Sequence, residues 1–83
     1  MELNQTVNKM LSSDYKDRFV AEYEQLNIRY NKLSVMVLKY REGKLDFKPT
    51  CPLELLEKQL NSMRTYLECL YERAELEGIE LPE

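Results

Sequence analysis

Two apolar runs keep an alternating spacing of four and three residues on either side of one turn-rich stretch. The first is Phe19, Tyr23, Leu26, Tyr30, Leu33, Val37 and Tyr40; the second is Leu53, Leu56, Leu60, Met63, Leu67, Leu70 and Ala74. An α-helix returns to the same face every three or four residues, so each run makes one apolar stripe along a long helix. The link between them is so short that the two helices must lie antiparallel and adjacent. A repeat averaging three and a half residues is what left-handed helix packing requires, so both stripes are expected to form the hairpin core.

Punctuation residues set the boundaries. A short helix is expected over 3–11, with Leu3, Val7, Met10 and Leu11 on one side. Ser12, Ser13 and Asp14 interrupt it and supply cap-type side chains for the next helix, expected over 15–42. Asp14 and Asp17 also complement the positive start of that helix. Gly43 is the expected left-handed stop. The turn, 43–51, contains Leu45 and Phe47, expected to fold back over the open end of the hairpin. The second long helix is expected over 52–77, with Thr50 or Cys51 as its cap and Pro52 at its entry. Gly78 ends it, and Ile79, Leu81 and Pro82 form a tail. No internal repeat or low-complexity tract interrupts this order, and 1–83 reads as a single all-α domain.

Size makes such a hairpin marginal. A chain of 83 residues buries only about 60–65% of its unfolded surface, and small domains usually add disulfides, a metal or assembly. Cys51 and Cys69 are 18 positions apart on the second helix, roughly 27 Å along a straight axis, too far for an intrachain bridge. There is no histidine, and the cysteines are not paired closely enough for structural zinc. No cofactor or metal is expected, and assembly as a homo-oligomer is the remaining support. Free thiols, and the lack of a continuous apolar stretch in Met1–Leu11, point to a reducing cytoplasm and no membrane span.

The net charge of −3 is unevenly spread. Residues 1–50 hold nine basic and seven acidic groups, and residues 51–83 hold three basic and eight acidic. Arg29, Lys32, Lys39, Arg41, Lys44 and Lys48 concentrate positive charge on the first long helix and the turn. Neither DNA nor RNA binding is expected from so weak a basic bias, whereas a small anion needs only a few such groups.

The residues beside the core stripes carry the functional reading. On the first long helix Tyr15, Arg18, Glu22, Gln25, Arg29, Lys32, Met36 and Lys39 form a flank that is aromatic at its start and basic towards its end. On the second, Leu55, Gln59, Ser62, Tyr66, Cys69, Arg73 and Leu76 run parallel to it. One reading is an ordinary solvated flank, because surface charge at helix edges is routine. The other is a groove between subunits, where aromatic rings stack on bases and arginine or lysine grips phosphate. A third line, Ala21, Ile28, Val35 and Leu38, lies opposite the core stripe. A lone hairpin would leave it facing water, so the short N-terminal helix or a second subunit is expected to cover it.

Catalysis has little support. The chain lacks histidine, a glycine-rich phosphate loop and a nucleophile elbow, and its two glycines sit at helix ends. A thiol at a helix start can be activated, but Cys51 has no base to work with, which favours a capping or packing role. The chain is therefore expected not to be an enzyme.

Asp14-Tyr15-Lys16-Asp17-Arg18-Phe19, Glu22-Tyr23-Glu24-Gln25-Leu26 and Arg29-Tyr30-Asn31-Lys32-Leu33 resemble a family of small, functionally unassigned proteins of crAss-like phages and prophages. The turn from Gly43 to Pro52 carries the most specific part of this likeness, which extends over about Ser13 to Leu81. The short N-terminal segment, the tyrosine before a long helix and the helical hairpin are also similar to the hairpin domain of phage anti-CBASS and anti-Thoeris sponge proteins. Those proteins are homo-oligomers that hold cyclic nucleotide immune signals without cleaving them. In them a tyrosine near the start of the long helix stacks on a base, and a basic residue about four turns later holds phosphate. Tyr15 matches the tyrosine. The basic position falls on Tyr30, so Arg29 or Lys32 would take its part, and a longer turn, Pro49–Pro52, replaces a short polar loop.

The combined expectation is a helical hairpin that sequesters a small nucleotide such as a cyclic dinucleotide in the cytoplasm of an infected cell. Tyr15 and Tyr66 would stack, and Arg18, Arg29, Lys32 and Arg73 would hold phosphate. Ala21, Ile28, Val35 and Leu38 would form the oligomer interface. The alternative is a non-enzymatic interaction protein that docks a host or phage protein through the outer apolar line and the acidic second helix.

Overall fold

Asp14 opens the first long helix by holding its own backbone extended, at φ −82° and ψ 123°, while its carboxylate accepts the Lys16 N–H at 2.9 Å. The structure is a computed structural model that describes residues 1–82; Glu83 lies outside the described residues. The helix, α2, spans Tyr15–Arg41, and Glu42 stands at its cap rather than inside it. Gly43 has φ 68°. The Lys44 N–H returns to the Lys39 carbonyl at 2.8 Å and the Gly43 N–H to the Tyr40 carbonyl at 3.1 Å. Two carbonyls that the helix end would strand are thereby satisfied.

The second long helix, α3, spans Leu53–Glu77. Its cap is Pro52, not Thr50 or Cys51, and no side chain caps it. Proline at ψ 154° offers its carbonyl to the N–H groups of Leu55 and Leu56, and it has no N–H of its own to satisfy. Gly78 at φ 67° ends α3, and the Ile79 N–H turns back to the Ala74 carbonyl at 2.8 Å. That turn swings Ile79 into the core, where it is buried.

The N-terminal segment is not one helix over 3–11. A 3-10 turn, Leu3–Thr6, leads into a single α-turn, α1, at Val7–Met10. The Thr6 hydroxyl donates to the Leu3 carbonyl at 2.7 Å, and the Glu2 N–H donates to the Gln5 side chain at 2.7 Å. Local bonds of this kind compete with α-helical pairing and hold the tighter turn.

The stripes meet in two clusters. Phe19, Tyr23 and Leu26 pack with Leu67, Leu70, Ala74 and Ile79 at one end, and Val37 packs with Leu56 and Leu60 at the other. Half-buried Tyr30 touches both. The turn residue Leu45 is half-buried, but Phe47 remains 55% exposed and does not close the end of the hairpin. The outer line divides. Ala21 and Ile28 are buried on the side of α2 that faces the N-terminal segment, while Val35 and Leu38 are more than half exposed because that segment ends short of them. Lys9 of α1 reaches the Glu24 carboxylate at 3.2 Å and ties the segment down. Among the described residues no helix is long and apolar enough to cross a membrane.

Candidate functional site

The start of α2 and the end of α3 meet at the open end of the hairpin. The Ser12 hydroxyl donates to Asp17 at 2.9 Å, and with the Asp14 cap this places Tyr15 on the first turn, over the last turn of α3. There Arg73 and Glu77, one turn apart, form an ion pair at 3.3 Å. The Tyr15 hydroxyl sits between them, donating to Glu77 at 2.8 Å and accepting from Arg73 Nη2 at 2.8 Å. The guanidinium also lies over Phe19, and the Tyr15 and Phe19 rings are 6.3 Å apart and tilted by 51°.

Further along the same flank, the Tyr66 hydroxyl donates to the Glu22 carboxylate. Both phenols are held above their ordinary pKa. For Tyr15 the leading cause is the hydrogen bond to Glu77, for Tyr66 the bond to Glu22, and Arg73 opposes the rise in each. Both hydroxyls are therefore protonated donors near neutral pH.

This arrangement separates residues that the sequence placed on one flank. Arg18, Gln25 and Lys32, seven positions apart, turn to the N-terminal segment: Arg18 donates to the Ser12 carbonyl at 2.9 Å, Gln25 to the Thr6 hydroxyl at 2.9 Å, and Lys32 pairs with Glu2 at 3.1 Å. Tyr15 and Glu22, also seven apart, turn to α3. Arg29 continues their register; it is exposed and forms no ion pair among the described residues. Of the six candidate ligand residues, Tyr15 and Arg73 touch, Tyr66 lies next along the flank, and Arg18 and Lys32 are engaged elsewhere.

Sequence reading omitted Glu77, and it assigned Phe19 to the core alone. The one available signal was the four-residue interval from Arg73 to Glu77, which puts opposite charges on one helix face. Chemically the cluster presents an aromatic ring, a phenol donor and a planar guanidinium suited to bidentate oxyanions. Glu77 now occupies one edge of that guanidinium. A phosphate would displace it, and an exposed pair one helical turn apart resists such exchange weakly. Cys51 and Cys69 are both free and exposed. Among the described residues no group of acidic or cysteine side chains is arranged to hold a metal ion.

Residues 13–76 match the family model described as Sequestin. The match takes in α2 and nearly all of α3, with Tyr15, Tyr66 and Arg73 inside it and Glu77 one residue beyond. No curated protein and no solved structure matches the chain.

Proposed function

The chain belongs to the Sequestin family, and on that footing we propose that it is a phage-encoded, non-enzymatic sponge for a cyclic nucleotide immune signal. The family's name denotes sequestration. The observation that carries the nucleotide reading is the contact between Tyr15 and Arg73, an aromatic donor and a guanidinium brought together from the two ends of the fold. Tyr15 and Tyr66 offer rings for bases, and stacking tolerates any base because every base has a π-face. Arg73, with Arg29 on the same register, offers charge for phosphate. Arg18 and Lys32 join only by releasing Ser12 and Glu2.

Sequestration acts by mass action, since protein in excess over a signal lowers its free concentration without turnover. The site is open on a single subunit, and a homo-oligomer would enclose it. The work would take place in the host cytoplasm, free of membrane, DNA or RNA.

Calorimetry with cyclic di- and trinucleotides and cyclic ADP-ribose isomers tests this. Saturable binding is expected, with intact ligand recovered from denatured protein and binding lost in Tyr15→Ala. No binding by any of the panel at roughly tens of micromolar protein would overturn it. A docking role is the second reading, favoured by the exposure of Val35 and Leu38; in that case Tyr15→Ala changes nothing measurable.

A further inference from the structure

The basic end of α2 and the turn form a second aromatic–cationic juxtaposition, roughly 40 Å of helix away from Tyr15. Lys32, Lys39 and Lys44 rim a surface hollow of about 440 Å³ floored by Val35, Leu45 and Phe47, a size within the roughly 300–1,000 Å³ typical of small-ligand sites. Phe47 also lines an adjoining hollow of about 490 Å³, shared with Tyr40 and Lys48. Its half-exposed ring is thus bordered by cavities with cations on each.

The charges here decide which occupant fits. Lys44 has Glu42 at 3.7 Å and Lys32 has Glu2 at 3.1 Å, but Lys39 forms no ion pair among the described residues. Asp46 is the one acid lining the hollow, against three lysines. The bonds from Lys44 and Gly43 satisfy the Lys39 and Tyr40 carbonyls, which mutes the negative helix end that would repel an anion. Pairing the patch with the same patch on a second copy would set Lys32 and Lys39 against lysines, which is repulsive. An anion with a flat apolar portion suits both the rim and the floor.

We propose that the turn-end hollow is a second nucleotide-binding site, with the base on Phe47 and phosphate between Lys39 and Lys44. It rests on the reading of this chain as a nucleotide binder, but uses none of the Tyr15 cluster. Isotope-labelled full-length protein titrated with ADP, cyclic di-AMP and cyclic di-GMP, followed by amide NMR shifts, tests it. At least one probe should saturably shift the amides from Lys39 to Lys48. Phe47→Ala should weaken that response about tenfold, the double change Lys39→Glu with Lys44→Glu should abolish it, and Tyr15→Ala should leave it intact. Circular dichroism checks that the variants keep their helices, as expected for exposed positions.

No saturable shift at the turn with any of the three probes, or an unchanged response in both variants, overturns the proposal. Shifts at Tyr15 and Arg73 alone would then leave the sponge reading standing. Shifts at the turn alone would support this site and remove the Tyr15 cluster from that reading.

Discussion

The guanidinium of Arg73 lies 4.9 Å from the centre of the Phe19 ring, so a surface cation rests on a residue that is only 2% exposed. The contact joins the core stripe of α2 to the functional flank of α3 and fixes the plane of the guanidinium. Lysine can keep the charge but not the planar fork that meets Tyr15 and Glu77. Arg73→Lys should therefore lower nucleotide affinity about tenfold, the equivalent of one charge-assisted hydrogen bond, with the helical signal unchanged. Calorimetry beside circular dichroism separates the two readouts; equal affinity in Arg73→Lys would remove the fork from the binding account.

Phenol titration reads the same cluster without a ligand. Glu77 raises the Tyr15 pKa and Arg73 lowers it. Glu77→Gln should move Tyr15 down towards the ordinary phenol range, and Arg73→Ala should move it up. Phenolate absorbance, with Tyr15→Phe to assign the component, checks both directions. Movement in the same direction for both variants would contradict the arrangement.

Tyr23 should set an alkaline limit on stability. Its hydroxyl lies 3.4 Å from that of Tyr71, and this bond, followed by burial, pushes its pKa up to about 12. A pKa raised above the unfolded value, about 10, stabilises the fold fully below pH about 10, and that contribution is lost as pH climbs to about 12. Chemical denaturation across this window should show stability falling with pH. Tyr71→Phe should shift the loss to lower pH, because the leading cause of the rise is gone.

The hairpin was legible because its signal is periodic: Phe19 to Val37 and Leu56 to Ala74 need one helical repeat and nothing else. Gly43 and Gly78 were legible because a left-handed helix stop leaves few residue choices. The sorting of the flank was not. Arg18 and Tyr15 differ by less than one turn, and which of them faces α3 depends on where the N-terminal segment lies, a long-range contact that local pattern does not encode. The 3-10 turn at Leu3–Thr6 was hidden for a similar reason, since it depends on side-chain bonds rather than on periodicity. Phe47 looked like a lid because it is apolar, yet Val37, Leu56 and Leu60 already fill that end with Leu53 and Tyr40 beside them.

The N-terminal segment is pinned by a charge that cannot safely lose its partner. Glu24 is 6% exposed and Lys9 supplies its cation from α1. Lys9→Ala leaves a buried carboxylate unpaired and should cost about 1–3 kcal/mol. Adding Glu24→Gln removes the charge along with the partner and should recover part of that loss. Urea unfolding of the wild type, the single variant and the double variant gives the comparison. Were the double variant less stable than Lys9→Ala, Glu24 would have to be held mainly by something other than this pair.

Leu70 is the test of how far the core is shared. It is fully buried among Phe19, Tyr23, Leu26 and Leu67, and the cluster at the other end reaches it only through Tyr30. Leu70→Ala should cost about 2–5 kcal/mol, the usual range for a buried leucine that leaves a cavity. Loss on that scale is most or all of what so small a domain has, so the variant should be largely unfolded at room temperature as a single subunit. Leu76→Ala, further along the same helix and 87% exposed, should be nearly neutral. If assembly contributes to stability, the Leu70→Ala protein should regain helix as its concentration rises, and circular dichroism over a dilution series measures this directly. A helical signal independent of concentration would place all the stability within one hairpin.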